Sequence, residues 1–167
     1  MPQFPSHGVF VSYRHEDTAP YARLLKVRLN ERLPDVQVFM DLDSIEAGRD
    51  FAEAIESALL SCLVLVALIG PKWLALADEE GRRRLDNPDD YVRFEIRTAL
   101  ERCERVIPVL VDGAKMPRQQ QLPEDLHKLA RLNALEMSYG RFEYDEDQLS
   151  AVIKKTLALE TGGLGAY

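Results

Sequence analysis

Residues 63–71 read Leu-Val-Leu-Val-Ala-Leu-Ile-Gly-Pro, an unbroken apolar run that a glycine and a proline close. A run of this kind is typical of a strand that is covered on both faces, because neither side alternates with polar residues. The stretch therefore predicts a central strand of a parallel sheet, with helices packed on either side.

Further short apolar runs alternate with amphipathic segments on both sides of this strand. The alternation predicts a doubly wound, five-stranded parallel α/β sheet with the strand order 2-1-3-4-5, built from right-handed crossovers. The other predicted strands are Gly8–Ser12, Val36–Met40, Val106–Val111 and Ala134–Met137. The first predicted helix starts at Asp17 or Thr18 and has Pro20 in its first turn. The other predicted helices are Phe51–Ser61, a helix that starts at Asn87-Pro88, a short helix that starts at Leu122, and Asp145–Leu159.

This strand order also predicts where a ligand binds. In doubly wound sheets the ligand lies beyond the carboxyl ends of the strands where the winding reverses, here between the first and third strands. The groups expected there are Tyr13 to Glu16 after the first strand, Gly70 to Trp73 after the third, and the helix that follows.

Composition limits the possible partners. The chain has 167 residues, a length that predicts a single domain. Its net charge is -7, so we expect that it does not bind nucleic acid. Arg82, Arg83 and Arg84 lie between acidic stretches and indicate a solvated loop. We expect the domain to cover residues 1–160, with 161–167 as a flexible tail or the start of a linker.

Cellular location follows from the cysteines and the apolar runs. Cys62 and Cys103 lie in apolar segments, which favours buried thiols in a reducing compartment and no metal site. The longest apolar run is too short for a membrane span, and no leader pattern begins the chain. We expect a cytoplasmic protein that needs no cofactor or metal and makes no membrane contact.

Familiar nucleotide motifs are missing from the sequence. There is no GxGxxG after the first strand and no GxxxxGK[ST], which argues against a dehydrogenase or a P-loop protein. A phosphate-receiver domain needs an acceptor aspartate at the end of the third strand, where this chain has Ile69-Gly70.

Glu95 is the candidate catalytic residue. It shares a helix face with Tyr91, Thr98 and Arg102, at the edge of the buried stripe and near the predicted crevice. A fixed carboxylate beside an aromatic ring suits cleavage of the N-glycosidic bond of NAD⁺, because that reaction passes through an oxocarbenium-like state and releases a neutral ring. The alternative is a half-exposed glutamate paired with Arg14, Arg97 or Arg102.

Several segments together resemble a TIR (Toll/interleukin-1 receptor) domain over about residues 8 to 159. The segments are Val9–Arg14 as the first box, Val38–Asp41 with Ile45–Gly48 as the second strand and its loop, Tyr91–Glu95 as the WxxxE element, Val106–Val109, and Leu122–Asp125. Tyr91 stands where NAD⁺-cleaving members have tryptophan, so an aromatic wall is kept.

The resemblance implies a flavodoxin-like sheet, self-association through TIR surfaces, and a set of site residues. Glu95 matches the catalytic glutamate. The residues that match or lie near the substrate site are Tyr13, Arg14, Glu46, Gly48, Phe51, Tyr91 and Asn133. Trp73 is a further candidate from its position after the third strand, where its ring would stack on a nucleotide.

Three of these residues also have a purely structural interpretation. Phe51 begins an apolar helix stripe and would then be a core residue, Gly48 would supply a positive φ for its loop, and Trp73 would close the end of a core. Arg14 has no acidic neighbour evident in the sequence, so we expect it to bind the pyrophosphate of the substrate.

Two functions follow from the resemblance. The first is an NAD⁺ glycohydrolase, switched on by self-assembly, that releases nicotinamide and ADP-ribose or cyclic ADP-ribose, as a defence or cell-death effector. The second is a non-catalytic adaptor that binds other TIR domains.

Overall fold

The computed structural model describes residues 8–40 and 45–164, without the side chains of residues 159–164. Residues 41–44 of the predicted loop and residues 165–167 of the predicted tail lie outside the described residues.

Five parallel strands form the sheet of the described chain, in the order β2-β1-β3-β4-β5. Strand β3 is central, with Phe10 of β1 opposite Leu65 and Ile107 of β4 opposite Val66. The predicted fold class and strand order are therefore confirmed. The strands are β1 (Gly8–Ser12), β2 (Val38–Phe39), β3 (Cys62–Ile69), β4 (Arg105–Val111) and β5 (Leu135–Met137).

The apolar run that predicted the central strand contributes to two cores, one on each face. Val64, Val66 and Leu68 join the core beneath the first and last helices, whereas the residues between them join the core beneath the middle two. Residues 64–69 are almost completely buried. Burial on both faces explains why this strand has no polar alternation.

Four α-helices flank the sheet within the described residues. They are α1 (His15–Arg32), α2 (Phe51–Leu60), α3 (Tyr91–Arg102) and α4 (Phe142–Leu164), with short 3-10 helices at Arg84–Asp86, Gln119–Gln121, Glu124–Arg131 and Tyr139–Arg141. In the described part of the chain, no helix combines the length and apolar character needed to cross a membrane.

The first turn of α1 is held against the end of β3. Thr18 has φ -130° and ψ 19°, so the regular part of α1 begins after it, as the predicted cap requires. The carboxylate of Asp17 accepts hydrogen bonds from the backbone N–H groups of Gly70 and Lys72, both at 3.0 Å. A Cβ at Gly70 would lie 2.5 Å from this carboxylate, which leaves room only for glycine.

Helix α3 begins later than predicted. Asp90, rather than Asn87, is the cap residue, and its carboxylate accepts a hydrogen bond of 3.0 Å from the backbone N–H of Arg93. The side chain of Asn87 instead accepts from the N–H of Asp89, a local turn that competes with capping. The predicted start at Asn87 was therefore wrong by one turn.

The remaining differences concern the ends of elements. Strand β2 is shorter than predicted, α2 ends one residue earlier, at Leu60, and β3 begins one residue earlier, at Cys62. Helix α4 begins at Phe142 and extends to Leu164, into the segment predicted as a tail.

Candidate functional site

A cleft of about 370 Å³ lies at the carboxyl end of β1, beside the start of α3. It combines the loop after β1 with the end of β2 and the first two turns of α3. The described residues that line it are Tyr13, Arg14, His15, Glu16, Met40, Arg84, Asp89, Asp90, Tyr91, Val92 and Glu95.

The cleft differs in one respect from the predicted crevice between β1 and β3. The loop after β1 and the following helix line it as predicted, but Gly70 to Trp73 do not. The Asp17 carboxylate accepts hydrogen bonds from the backbone at the end of β3, and Gly70 and Pro71 line a separate cavity. Met40, after β2, forms part of the wall instead.

Glu95 lies in the second turn of α3 and is 4% exposed. Its Oε2 atom is fully buried and has no hydrogen-bond partner within the described structure. The alternative of a half-exposed ion pair is wrong for this residue, because Arg14 pairs with Asp90 and Arg97 with Asp125. A buried polar atom without a partner is uncommon in folded proteins and needs a specific explanation.

Burial raises the pKa of Glu95 to about 8, because a carboxylate is poorly stabilised away from water. The nearby Ser12 hydroxyl opposes this and lowers the pKa. The Ser12 oxygen is itself buried and makes no hydrogen bond of standard geometry among the described residues. Asp90 raises the pKa further by charge repulsion, and Arg14 lowers it.

Arg14 is not the free cation that its sequence neighbours indicated. It donates two hydrogen bonds to Asp90, from Nη1 to Oδ1 at 2.6 Å and from Nη2 to Oδ2 at 2.7 Å. The side chains are 3% and 9% exposed, so the pair is shielded from water. The prediction that Arg14 lacks an acidic neighbour was wrong, because its partner lies 76 residues further along the chain.

Asp90 is one of the site residues that the sequence analysis missed. It caps α3, neutralises Arg14 and raises the pKa of Glu95. The available signal was its position before the apolar stripe of α3, where an aspartate is a favoured cap.

A second ion pair lies at the rim of the cleft. Arg84 donates from Nη1 and Nη2 to the two carboxylate oxygens of Glu16, at 3.0 and 2.9 Å. The hydrogen bonds from Arg84 lower the pKa of Glu16 to about 2, against a smaller opposing effect of burial. Sequence reasoning assigned Arg84 to a solvated loop and did not predict it at the site.

One aromatic residue, Tyr91, lines the cleft together with Glu95, and a second, Phe51, packs against Tyr91. Tyr91 lines the cleft and is 48% exposed, and its ring centroid lies 4.5 Å from that of Phe51. Phe51 does not line the cleft and packs against one face of the core, with Phe94 at 6.2 Å. The structure thus brings together Tyr13, Arg14, Tyr91 and Glu95, with Phe51 supporting Tyr91.

Glu46 and Gly48, described residues of the loop after β2, do not line this cleft. Glu46 lines a neighbouring cavity of about 450 Å³, which shares Met40 with the cleft. Gly48 is exposed and has φ +88°, a conformation that favours glycine.

Trp73 and Asn133 lie away from the cleft. Trp73 is 1% exposed and packs in the core, so it cannot stack on a ligand as it stands, and its predicted substrate contact is wrong. The physical reason is that this large aromatic side chain closes the end of the core after the central strand. Asn133 is exposed and precedes β5, which is the opposite edge of the sheet from β2, whereas the cleft lies at the ends of β1 and β2.

Comparison with known proteins identifies the family and two relatives. The family model of the TIR domain matches residues 9–153. NAD(+) hydrolase SARM1 of Danio rerio is 29% identical over 146 residues, 87% of this chain and 19% of that protein. NAD(+) hydrolase sarm1 of Drosophila melanogaster is 31% identical over 129 residues, 76% of this chain and 9% of that protein. This chain therefore matches only a small part of each relative.

A solved structure shares the fold. The TIR domains of the activated Roq1 resistosome, which recognises the pathogen effector XopQ, match with a TM-score of 0.65 and 18% identity. The match covers 88% of this chain and 99% of that one. At this identity the likeness concerns the fold alone.

Proposed function

Because this chain belongs to the TIR domain family, we propose that it hydrolyses NAD⁺ at the bond between nicotinamide and ribose, with Glu95 as the catalytic carboxylate. The relatives named above as NAD(+) hydrolases support this substrate.

The observation that carries the proposal is the state of Glu95. Its carboxyl group is buried in the wall of a cleft, with one oxygen that has no hydrogen bond in the described structure. An unsatisfied buried oxygen destabilises the empty protein, and a hydroxyl group of a bound ribose would satisfy it. This state of the Glu95 carboxyl group supports a role in ligand binding rather than a role in stabilising the fold.

The reaction needs few catalytic groups. The bond between the ribose C1′ and the pyridinium nitrogen breaks, and its electron pair stays on nicotinamide, which leaves as a neutral molecule. Positive charge develops on the ribose, and an anionic Glu95 stabilises it electrostatically. Water then adds to C1′ and releases a proton, which completes ADP-ribose.

The charge of Glu95 is matched to this substrate. Its raised pKa keeps much of the carboxyl protonated in the empty cleft at neutral pH. The pyridinium of NAD⁺ carries a positive charge, and a nearby positive charge lowers the pKa of a carboxyl group. Substrate binding would thus generate the anion that the reaction requires.

Other residues would hold the substrate around this group. Tyr13 and Tyr91 would form walls for the nicotinamide ribose, with Phe51 fixing the Tyr91 ring. Glu46 and Gly48 belong to the loop beside the cleft and would close over a bound ligand. We place the reaction in the cytoplasm, where the two free cysteines would stay reduced.

Self-assembly would raise activity, as the family resemblance implies, and the enzyme would then act as an NAD⁺-depleting effector in defence or cell death. The test is nicotinamide release from NAD⁺ over a series of protein concentrations, with and without a crowding agent. Release that grows faster than protein concentration supports an enzyme switched on by assembly.

The second candidate is a non-catalytic adaptor that binds other TIR domains. The TIR domains of the activated Roq1 resistosome share the fold and are part of an assembled complex. An adaptor would act through assembly of this kind alone. If the protein assembles, as sedimentation would show, but releases no nicotinamide, the adaptor becomes the better description.

A further inference from the structure

We infer that Arg84 binds the diphosphate of the substrate, and that Glu16 occupies the Arg84 guanidinium until the substrate displaces it. The inference rests on the proposed function, because it names the group that recognises the phosphate portion of NAD⁺ in the same cleft.

The cleft needs a cation for a diphosphate, and Arg14 is not available. Asp90 binds both terminal nitrogens of Arg14 in a shielded pair, and separating such a pair leaves a buried charge without compensation. His15 also lines the cleft, but an imidazole lacks the two parallel N–H donors that match a phosphate. Among the described lining residues, Arg84 is the remaining arginine.

The contact between Arg84 and Glu16 has the geometry of phosphate recognition. Two parallel N–H donors meet two oxygens at 3.0 and 2.9 Å, the fork that a guanidinium presents equally to carboxylate and to phosphate. The Glu16 carboxylate therefore stands in for the phosphate oxygens when the cleft is empty.

This pair can exchange partners, whereas the Arg14 pair cannot. The side chains of Arg84 and Glu16 are 31% and 47% exposed, and ion pairs open to water contribute little net stability. Once displaced, the Glu16 carboxylate can be hydrated without a large cost. The low pKa of Glu16 keeps it charged throughout the neutral range, so the competition does not depend on pH there.

Arg84 also lies close to the catalytic centre. The charge of Asp90 acts on Arg84 as well as on Glu95, so the three groups share one region of the cleft. A diphosphate held by Arg84 at the rim leaves the deeper part of the cleft, beside Glu95, for the nicotinamide ribose.

The chain offers a matched control two residues away. Arg82 pairs with Glu80, and both side chains are well exposed and lie outside the cleft. The substitutions Glu80→Gln and Arg82→Gln therefore change the net charge by the same amount as Glu16→Gln and Arg84→Gln, without touching the site.

The experiment is calorimetric titration with ADP-ribose, at one salt concentration, of the unmodified protein, these four variants and the double variant Glu16→Gln/Arg84→Gln. We expect Glu16→Gln to tighten ADP-ribose binding several-fold, because the competitor loses its charge. Arg84→Gln should weaken binding by about tenfold or more, and adding Glu16→Gln to Arg84→Gln should then change nothing. The two control variants should bind as the unmodified protein does.

Three results would overturn the inference: unchanged ADP-ribose affinity in Arg84→Gln, equal effects in the control pair, or no ADP-ribose binding by either the unmodified protein or Glu16→Gln. Binding of ADP-ribose does not require cleavage. If Arg84 controls binding but no nicotinamide is released from NAD⁺, the proposed function fails and the diphosphate site stands. If nicotinamide is released but Arg84→Gln has no effect on ADP-ribose binding, the proposed function stands and the diphosphate site at Arg84 fails.

Discussion

Arg14 and Asp90, 76 residues apart in the chain, meet as a bidentate ion pair beside Glu95, with nitrogen–oxygen distances of 2.6 and 2.7 Å. The pair joins the end of β1 to the start of α3. It therefore fixes the helix turn that carries Glu95, and its two charges act in opposite directions on the pKa of Glu95.

The stability of this pair can be measured directly. Asp90→Asn keeps a side-chain oxygen able to cap α3 but removes the charge that neutralises Arg14. Leaving one member of a buried pair uncompensated costs about 3 kcal/mol or more. We expect urea unfolding to show a loss of that order for Asp90→Asn. The control is Asp89→Asn, an exposed neighbour, and an equal loss in that variant would contradict the assigned role of the pair.

The pH dependence of catalysis reports the ionisation of Glu95. If the carboxylate is the active form, kcat/KM should rise with pH and level off above about 8, the pKa in the empty cleft. The rise in kcat should occur at lower pH, because the pyridinium of bound NAD⁺ lowers the pKa. A kcat/KM that is flat between about pH 6 and pH 9 would show that this ionisation does not control the reaction.

Ser12 tunes that ionisation. Its hydroxyl lowers the pKa of Glu95, so Ser12→Ala should raise this pKa and move the rise of kcat/KM to higher pH. Above the shifted pKa the rate should recover. The matched control is Ser150→Ala, a buried serine that donates a hydrogen bond to Glu146 and does not affect the pKa of Glu95. An unshifted profile with a uniformly lower rate would mean that Ser12 acts only through packing.

The raised pKa of Glu95 also predicts how stability changes with pH. The folded protein holds the Glu95 proton up to about pH 8, whereas the unfolded chain releases it near the ordinary value of 4.5. The contribution of Glu95 to stability is thus complete below pH 4.5, falls as pH rises, and is lost above pH 8.

Glu95→Gln removes this titration, so the variant should be more stable than the unmodified protein at high pH. The difference should be on the order of 5 kcal/mol above about pH 8 and should shrink towards pH 4.5. Urea unfolding at pH values on both sides of this window measures it. Glu101→Gln, an exposed position on the same helix, should show no such trend. A difference that stays constant with pH would refute the raised pKa.

The sheet could be predicted because its signals are local. The apolar run at 63–69 required burial on both faces, and its order among the other runs determined the topology. Helical spacing likewise placed Glu95 on the face of α3 that meets the cleft. Each of these signals is contained in a few neighbouring residues.

The charges of the cleft could not be predicted, because they depend on contacts between distant segments. Arg14 looked free in the sequence, and only the fold brings Asp90 to it. The same holds for Arg84, which reaches Glu16 across 68 residues. For Trp73, local spacing allowed both a ligand contact and a core position, and only packing decides between them.

The most direct test of the central claim is the rate of nicotinamide release from NAD⁺ by Glu95→Gln, compared with Glu101→Gln and the unmodified protein. All three should be assembled to the same extent, and circular dichroism should verify the fold of each. The account predicts full activity for Glu101→Gln and a loss of at least about a hundredfold for Glu95→Gln, as expected when an electrostatic stabiliser of a transition state is removed. Release by Glu95→Gln at the rate of the unmodified protein would contradict it.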